Sequence, residues 1–189
     1  IDQINLDTDQ ILPARFLRKP RDEHYYRYLF ADLRFRPDGS KFPEFVLNRP
    51  QYHDAEIIVG ARNFGCGSSR EAAVYALEAN GIRAVIAPSF GDIFFNNCIK
   101  NGVLPLQLSS EACETLRRQL HESPGAEVAI DLDAQSLTGP DQTTYNFEID
   151  AFDKHRLLNG LDEIGLTMKY EADIADFKTQ YKAKHHWAG

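Results

Sequence analysis

Residues 63–71 read Asn-Phe-Gly-Cys-Gly-Ser-Ser-Arg-Glu, and the chain turns apolar straight afterwards with Ala72, Ala73 and Val74. Glycines at 65 and 67 let the backbone approach a ligand closely, because without a Cβ they enter conformations that other residues avoid. A helix that starts here has unpaired N–H groups and the positive end of its dipole at this point, which favours an anion. Arg70 adds a planar fork of donors suited to a carboxylate or a phosphate. Together these residues describe an anion seat, with the hydroxyls of Ser68 and Ser69 beside it. A plainer reading stands next to it. Ser68 and Glu71 have the S-x-x-E spacing of a capping box, in which each side chain satisfies a free backbone donor at the helix start without doing chemistry.

Several anion-binding and nucleophilic motifs fail on this stretch. A phosphate loop needs G-x-x-x-x-G-K-S/T, and a dinucleotide fingerprint needs glycine where Arg70 stands. A nucleophile elbow needs glycines two residues either side of the nucleophile, whereas Cys66 has Phe64 and Ser68 there. Cys66 is therefore read as a small loop residue close to the site, and a cysteine hydrolase as the weaker alternative.

The elements that must hold the seat follow from hydrophobic pattern. Residues 55–60 form a short β-branched run, read as a buried strand. From residue 69 to about 79 the apolar positions Ala73, Val74, Ala76 and Leu77 recur at helical spacing, and Asn80-Gly81 supplies a stop. Residues 82–87 are the next strand, so strand, helix and strand make a βαβ unit with parallel strands. The pattern repeats: Ser89 is expected to cap a second helix with Asp92 in its first turn, ending near Asn101-Gly102, and residues 103–106 resume extended structure. A third helix is expected over 111–120. Beyond Pro124-Gly125, residues 128–132 and 143–149 read as two antiparallel strands flanking a turn near 139–141. A short helix over 153–158, stopped by Asn159-Gly160, and a polar final helix over 171–184 complete the chain. The region from 15 to 50 is rich in aromatic residues, arginine and proline, and reads as a long, partly ordered excursion of the kind that often serves function.

Bulk properties exclude whole classes. The chain has 189 residues and 43% hydrophobic content, enough for one domain with a proper core. A net charge of -7 argues against a general nucleic-acid binder. The most cationic stretch, residues 15–21, is followed at once by Asp22 and Glu23 and reads as a solvated loop or a substrate loop. Cys66, Cys98 and Cys113 are odd in number and far apart, with no C-x-x-C pair, which suits reduced cytoplasmic thiols and not a zinc or iron–sulfur site held by this chain alone. His185 and His186 fall in the tail and read as solvated. Neither a membrane-spanning run nor a signal-peptide layout is found, so no membrane partner and a cytoplasmic location are expected.

The run 63–71 resembles the signature of the small subunit of 3-isopropylmalate dehydratase, in the aconitase superfamily. The resemblance continues in order along nearly the whole chain: Asp7-Thr8-Asp9-Gln10-Ile11-Leu12-Pro13, then Phe45-Val46-Leu47-Asn48, then residues 85–94, 149–152 and 159–167. It implies an α/β fold, the swivelling β/β/α domain of the aconitase C-terminal type with a βαβ core, spanning 1–189 as a single domain. Within it, 15–50 would be the substrate-specificity region and 167–189 a C-terminal helical tail. The implied activity is that of a hydro-lyase, active only with a large subunit, which isomerises 2-isopropylmalate to 3-isopropylmalate by dehydration and rehydration in leucine biosynthesis. No cofactor is expected on this chain and no metal ligand is assigned to it; the implied large subunit carries a 4Fe-4S cluster, in a heterodimer or heterotetramer.

By the same resemblance Ser68 matches the serine that acts as alkoxide base, Ser69 and Arg70 match ligands of a substrate carboxylate, and Asp9 matches an aspartate lining the site. Thr8 and Gly67 are carried over as substrate-binding neighbours. A turn or a cap is the plainer reading of Asp7-Thr8-Asp9. The chain departs from the family pattern twice: Ala72 stands where histidine usually follows Arg-Glu, and Lys19-Pro20-Arg21-Asp22-Glu23-His24-Tyr25 replaces a threonine-arginine-glycine pattern. Both departures bear on which acid is used, so a dehydratase of the methylmalate, dimethylmalate or homoaconitate type stands as the alternative. A stand-alone dicarboxylate-binding module is the more distant one.

Overall fold

The computed structural model describes residues 1–168, 170–185 and 187; His186 lies outside the described residues. The N-terminal third contains two short helices, α1 (Thr8–Ile11) and α2 (Ala31–Arg34), within a run of turns. Few backbone ladders hold this region; aromatic packing does. Tyr25, Leu29 and Phe30 are buried, the Phe16 and Tyr28 rings stack at 4.4 Å, and the Phe30 N–H donates to the Ile11 carbonyl at 2.7 Å. The excursion expected to be partly ordered is thus packed by its aromatic residues. Two cations of its basic run meet carboxylates, Arg15 pairing with Asp32 and Arg21 with Glu78 at 2.8 Å, and the Arg21 guanidinium also lies over the Tyr75 ring.

Behind it lies a parallel sheet in the order β1 (Ile57–Val59), β2 (Ala84–Ala87), β3 (Leu104–Gln107). Every residue of β2 is buried, as a central parallel strand covered on both faces must be. The crossovers run through α3 (Glu71–Ala79) and α4 (Asp92–Lys100), as the repeated βαβ pattern predicts. Successive crossovers of one hand, stepping the same way, put both helices on one face. On that face Ile58, Val85 and Ala87 pack with Ala73, Val74, Leu77 and Phe94. On the other, Val59, Ala84, Ile86, Leu104 and Leu106 pack with Cys113 and Leu116 of α5 (Ser110–Glu122) and with Leu137 and Phe147.

Leu137 and Phe147 come from a second sheet, antiparallel, ordered β4 (Ala129–Asp131), β5 (Ser136–Thr138), β6 (Thr144–Asn146). Here the sequence reading needs correction. The turn at 139–141 joins β5 to β6, and β4 and β6 pair with β5 and not with each other. β5 escapes pattern reading because Leu137 is its single large apolar residue, yet that residue is fully buried. Downstream, α6 (Ala151–Asn159) is capped by the Asp150 carboxylate and stopped by Gly160 at φ +60°. α7 (Glu163–Met168), which the sequence reading did not foresee, is tied to α4 by Lys100–Glu163 at 3.0 Å; α8 (Glu171–Lys184) has the expected bounds. Among the described residues no helix is long and apolar enough to cross a membrane.

Candidate active site

Leaving β1, the chain enters a loop strapped on both sides. On one side, Asn5 N–H donates to the Arg62 carbonyl (2.9 Å), Gly65 N–H to Leu6 (2.8 Å) and Thr8 N–H to Cys66 (2.8 Å). On the other, Phe64 N–H donates to Ser89 (3.0 Å) and Gly91 N–H to Phe64 (3.0 Å). Residues 5–8, 62–66 and 89–91 therefore lie side by side as an extension of the sheet edge, with bridges Asp7–Cys66 and Phe64–Phe90. Two glycines make this possible. A Cβ on Gly65, at φ +70°, would sit 2.2 Å from the Phe94 ring, and one on Gly67, at φ +89°, would sit 2.2 Å from the Asp7 carboxylate. Left-handed backbone and close approach exclude side chains at both positions.

Asp7 is the hinge of the strap. Its carboxylate accepts from Asp9 N–H at 2.6 Å, while its own N–H donates to the Gln10 side chain at 3.0 Å, a complete capping box that starts α1. The plainer reading of the Asp7-Thr8-Asp9 turn as a cap is thus true of Asp7. Its neighbours point elsewhere: Thr8 Oγ1 donates to the Ser68 carbonyl at 2.9 Å, and Arg70 Nη1 donates to Asp9 Oδ1 in an ion pair. Asp9 Oδ1 also accepts from Ala14 N–H at 3.2 Å, where the aromatic excursion begins.

The structure therefore brings Thr8, Asp9, Gly67, Ser68 and Arg70 to one place at the N-terminus of α3. Ser68 and Ser69 are exposed, and their hydroxyls make no hydrogen bond among the described residues. Arg70 is the anchored member, its side chain only 13% exposed against 49% for Asp9. The capping box expected from Ser68 and Glu71 does not form. Arg70, extended at φ −125°, is the N-cap residue without a side-chain cap; the Ser68 carbonyl is held by Thr8, and Glu71 accepts instead from Asn101 at 3.0 Å. Ser89 likewise caps no helix: Gly91 is the N-cap of α4, and Ser89 Oγ accepts from Asn63 N–H at 3.0 Å. That bond supports Asn63 at φ +61°, a left-handed position that asparagine tolerates and that begins the loop.

Electrostatically the seat is a guanidinium neutralised by one removable carboxylate. An incoming carboxylate can take the place of Asp9 on Arg70, while the first N–H groups of α3 face the same space. Cys66 is unsuited to nucleophilic work here, since burial and then the nearby Asp7 charge push its thiol up from the ordinary range. Cys98 and Cys113 are buried, and burial raises both thiols, Cys113 to about 11. Among the described residues no group of three or more His, Cys, Asp or Glu side chains is placed to hold a metal ion. Asn63, Gly91 and Phe94 are positioning residues that sequence reasoning passed over, and for Asp7 it offered the cap without the strap. The D-x-x-Q spacing of Asp7 and Gln10 was the available signal for that cap.

Comparison with known proteins adds the following. The family described as Aconitase C-terminal domain matches residues 2–111, and LeuD_N matches residues 114–151. The 3-isopropylmalate dehydratase small subunit of Dinoroseobacter shibae is 49% identical over 184 residues, covering 97% of this chain and 92% of that protein. The protein of the same name from Leptospira interrogans is 50% identical over 189 residues, covering 99% and 92%. Among solved structures, 3-isopropylmalate dehydratase (leuD) from Methanocaldococcus jannaschii superposes with a TM-score of 0.65 at 29% identity, covering 93% of this chain and 92% of that one.

Proposed function

Since this chain belongs to the family of 3-isopropylmalate dehydratase small subunits, on the aconitase C-terminal domain fold, we propose that its 60–71 loop supplies the base and the carboxylate clamp of an active site completed by a large subunit. The enzyme is a hydro-lyase of leucine biosynthesis. Its reaction removes water from 2-isopropylmalate and returns it at the neighbouring carbon. A proton must leave a carbon next to a carboxylate while a hydroxyl departs, and both steps reverse on the other side of the unsaturated intermediate. A 4Fe-4S cluster on the large subunit would supply Lewis acidity towards the departing hydroxyl.

The residues of this chain supply the rest. Arg70 releases Asp9 and grips a substrate carboxylate through its fork, with Ser69 and the Gly67 backbone completing the clamp. Ser68 takes the proton through its Oγ and later returns it. A serine is a feeble base in water, but its alkoxide is stabilised at the N-terminus of α3 beside Arg70. Thr8 fixes the backbone of Ser68 through the carbonyl bond at 2.9 Å, so the hydroxyl is presented and not left to wander. Asp9, once released, remains at the mouth to orient groups brought by the large subunit. Because Asp9 also holds Ala14 N–H at the root of the 15–50 excursion, substrate capture on Arg70 is coupled to the region that reads the rest of the substrate. The large subunit joins as a heterodimer or as a pair of such dimers, in the cytoplasm.

The observation that carries this reading is the largely covered Arg70 side chain, held by a single displaceable carboxylate beside a Ser68 hydroxyl that has no partner among the described residues. Mixing the chain with the reconstituted large subunit and following ultraviolet absorbance of the unsaturated intermediate tests it. Turnover of isopropylmalate in preference to methylmalate, dimethylmalate and homoaconitate is the expected result. Silence with every acid, given an intact cluster, would refute the catalytic reading.

A further inference from the structure

A second charged site lies at the other end of α3. The seat occupies the N-terminus of this helix; at its C-terminus Asn80, with Ala55 and Ile82, borders a cleft of about 1510 Å³ whose far wall is the aromatic excursion. The nine residues of α3 separate the two by roughly 14 Å. At the base of the cleft sits Arg34, 9% exposed. Its guanidinium donates to the Asn48 and Asn80 side-chain oxygens at 3.3 Å and to the Leu29 carbonyl at 3.4 Å. All three acceptors are neutral and distant, and Nη2 bonds to no protein group among the described residues. Burial lowers its pKa from the usual arginine range, the sign of a charge that its surroundings do not compensate.

Arg27, Arg36, Lys41 and Arg49 also line this cleft. Among the described residues none of these five cations is paired with a carboxylate, and the two carboxylates of the lining meet other residues of the same lining, Asp32 bonding to Arg15 and Asp54 to His53. The guanidinium groups of Arg36, Arg34 and Arg27 lie 4.6, 5.2 and 5.7 Å from the ring centroids of Phe42, Phe35 and Tyr26. Arg27 donates Nε to the Tyr26 hydroxyl (3.3 Å) and Arg36 donates Nη1 to Ser40 Oγ (3.3 Å) and the Lys41 carbonyl (2.9 Å), and the remaining edge donors of each are available to a ligand. Of these cations Arg34 is buried, and a buried charge facing only neutral acceptors is costly unless an anion arrives; the four exposed ones add positive potential at the same cleft of a chain with net charge -7.

We propose that this cleft binds a small multivalent oxyanion, a phosphate ester or a polycarboxylate, with Arg34 at its base and Arg27 and Arg36 on its walls. One fork at the base with two on the walls suits several charges on one small molecule better than single carboxylates strung along a polypeptide, and the volume leaves room for an organic body. The site does not rest on the chemistry assigned to the seat.

The test titrates pyrophosphate and, separately, tricarballylate into the full chain carrying Arg70→Gln, which removes the cation of the seat, with calorimetry at low salt. Single-site binding of at least one probe is expected, weakened roughly tenfold or more by Arg27→Gln with Arg36→Gln on the same background. These two side chains are exposed, so the variant does not endanger folding; Arg34→Lys, which keeps charge but loses the fork, should weaken binding as well. The probe that binds distinguishes phosphate ester from polycarboxylate. Binding that is unchanged in the rim variant, or that vanishes with Arg70→Gln alone, overturns the proposal. So does the absence of binding by both probes, including the case in which poly-glutamate binds instead and points to an acidic polypeptide.

Discussion

Replacing Gly67 by alanine tests the strap that builds the seat. The added methyl carbon would stand 2.2 Å from Asp7 Oδ2 and 2.7 Å from its Cγ, at a backbone φ of +89°. The left-handed backbone costs about 1–2 kcal/mol for any residue with a Cβ. The contact is relieved by swinging Asp7 away, which surrenders the 2.6 Å bond that starts α1 and costs about 0.5–2 kcal/mol more. The total is about 1.5–4 kcal/mol, and at roughly 2–4 °C per kcal/mol for a chain of this size Tm should fall by about 3–16 °C. Gly81→Ala is the control, because Gly81 has a similar φ of +79° but nothing within 4 Å of the added carbon. It should lose only the backbone part, about 1–2 kcal/mol. Thermal unfolding of both variants separates the two contributions, and turnover with the large subunit reads the functional one. Swinging Asp7 displaces Thr8 and Asp9 from Ser68 and Arg70, so kcat should drop about tenfold or more in Gly67→Ala and stay unchanged in Gly81→Ala. A Gly67→Ala chain as stable and active as the Gly81→Ala chain would refute the geometry described for the strap.

Other outcomes follow from the same structure. Arg70→Lys keeps the charge and loses the fork, so one charge-assisted hydrogen bond worth about 1.5–3 kcal/mol disappears and kcat/KM should fall roughly 10- to 150-fold; steady-state kinetics with an intact cluster decide it. Arg156→Leu should raise Tm by several degrees, because Arg156 is 8% exposed and its Nε and Nη2 groups are buried without partners among the described residues; a lowered Tm would show that the guanidinium is compensated after all. In the native chain a disulfide reagent should modify Cys66 slowly, at a rate still climbing above pH 9 because its thiol is raised, while Cys98 and Cys113 react only on unfolding. The raised Cys113 thiol also sets a sign for alkaline stability. Its folded pKa of about 11 exceeds the unfolded value of 9.0, so its contribution is intact below pH 9 and is lost as pH climbs towards 11; Cys113→Ala should flatten that part of the urea-midpoint profile.

The elements with strong periodicity were legible in the sequence, and those whose support comes from elsewhere were not. The strands at 57–59 and 84–87 and the helices at 71–79 and 92–100 announce themselves because each buries a face made of consecutive or regularly spaced apolar residues. β5 did not, because one buried leucine in a three-residue strand gives no alternation to read. The capping assignments failed for a related reason. S-x-x-E at 68–71 is a local signal, but Thr8, 60 residues away, pins the Ser68 backbone through its carbonyl, Asn101, 30 residues from Glu71, takes the Glu71 carboxylate, and the helix starts with Arg70 as its N-cap. Tertiary hydrogen bonds overrode a local motif of similar strength.

The composition of the site was visible for the converse reason. Glycines at 65 and 67 are a demand that the sequence displays openly: something must come too close to tolerate a side chain. The sequence alone does not say what comes close, and the structure supplies the answers, the Phe94 ring under one and the Asp7 carboxylate under the other. Asp7 in turn fixes where Asp9 falls, so the ion pair that bridges 61 positions to Arg70 follows from a glycine. A side chain at 67 would push away the residue that starts α1, and with it the carboxylate that holds the guanidinium ready. The missing Cβ of Gly67 thus acts through position: a methyl there strikes Asp7 before it reaches anything bound to the backbone of the seat, so its replacement reads out the architecture first.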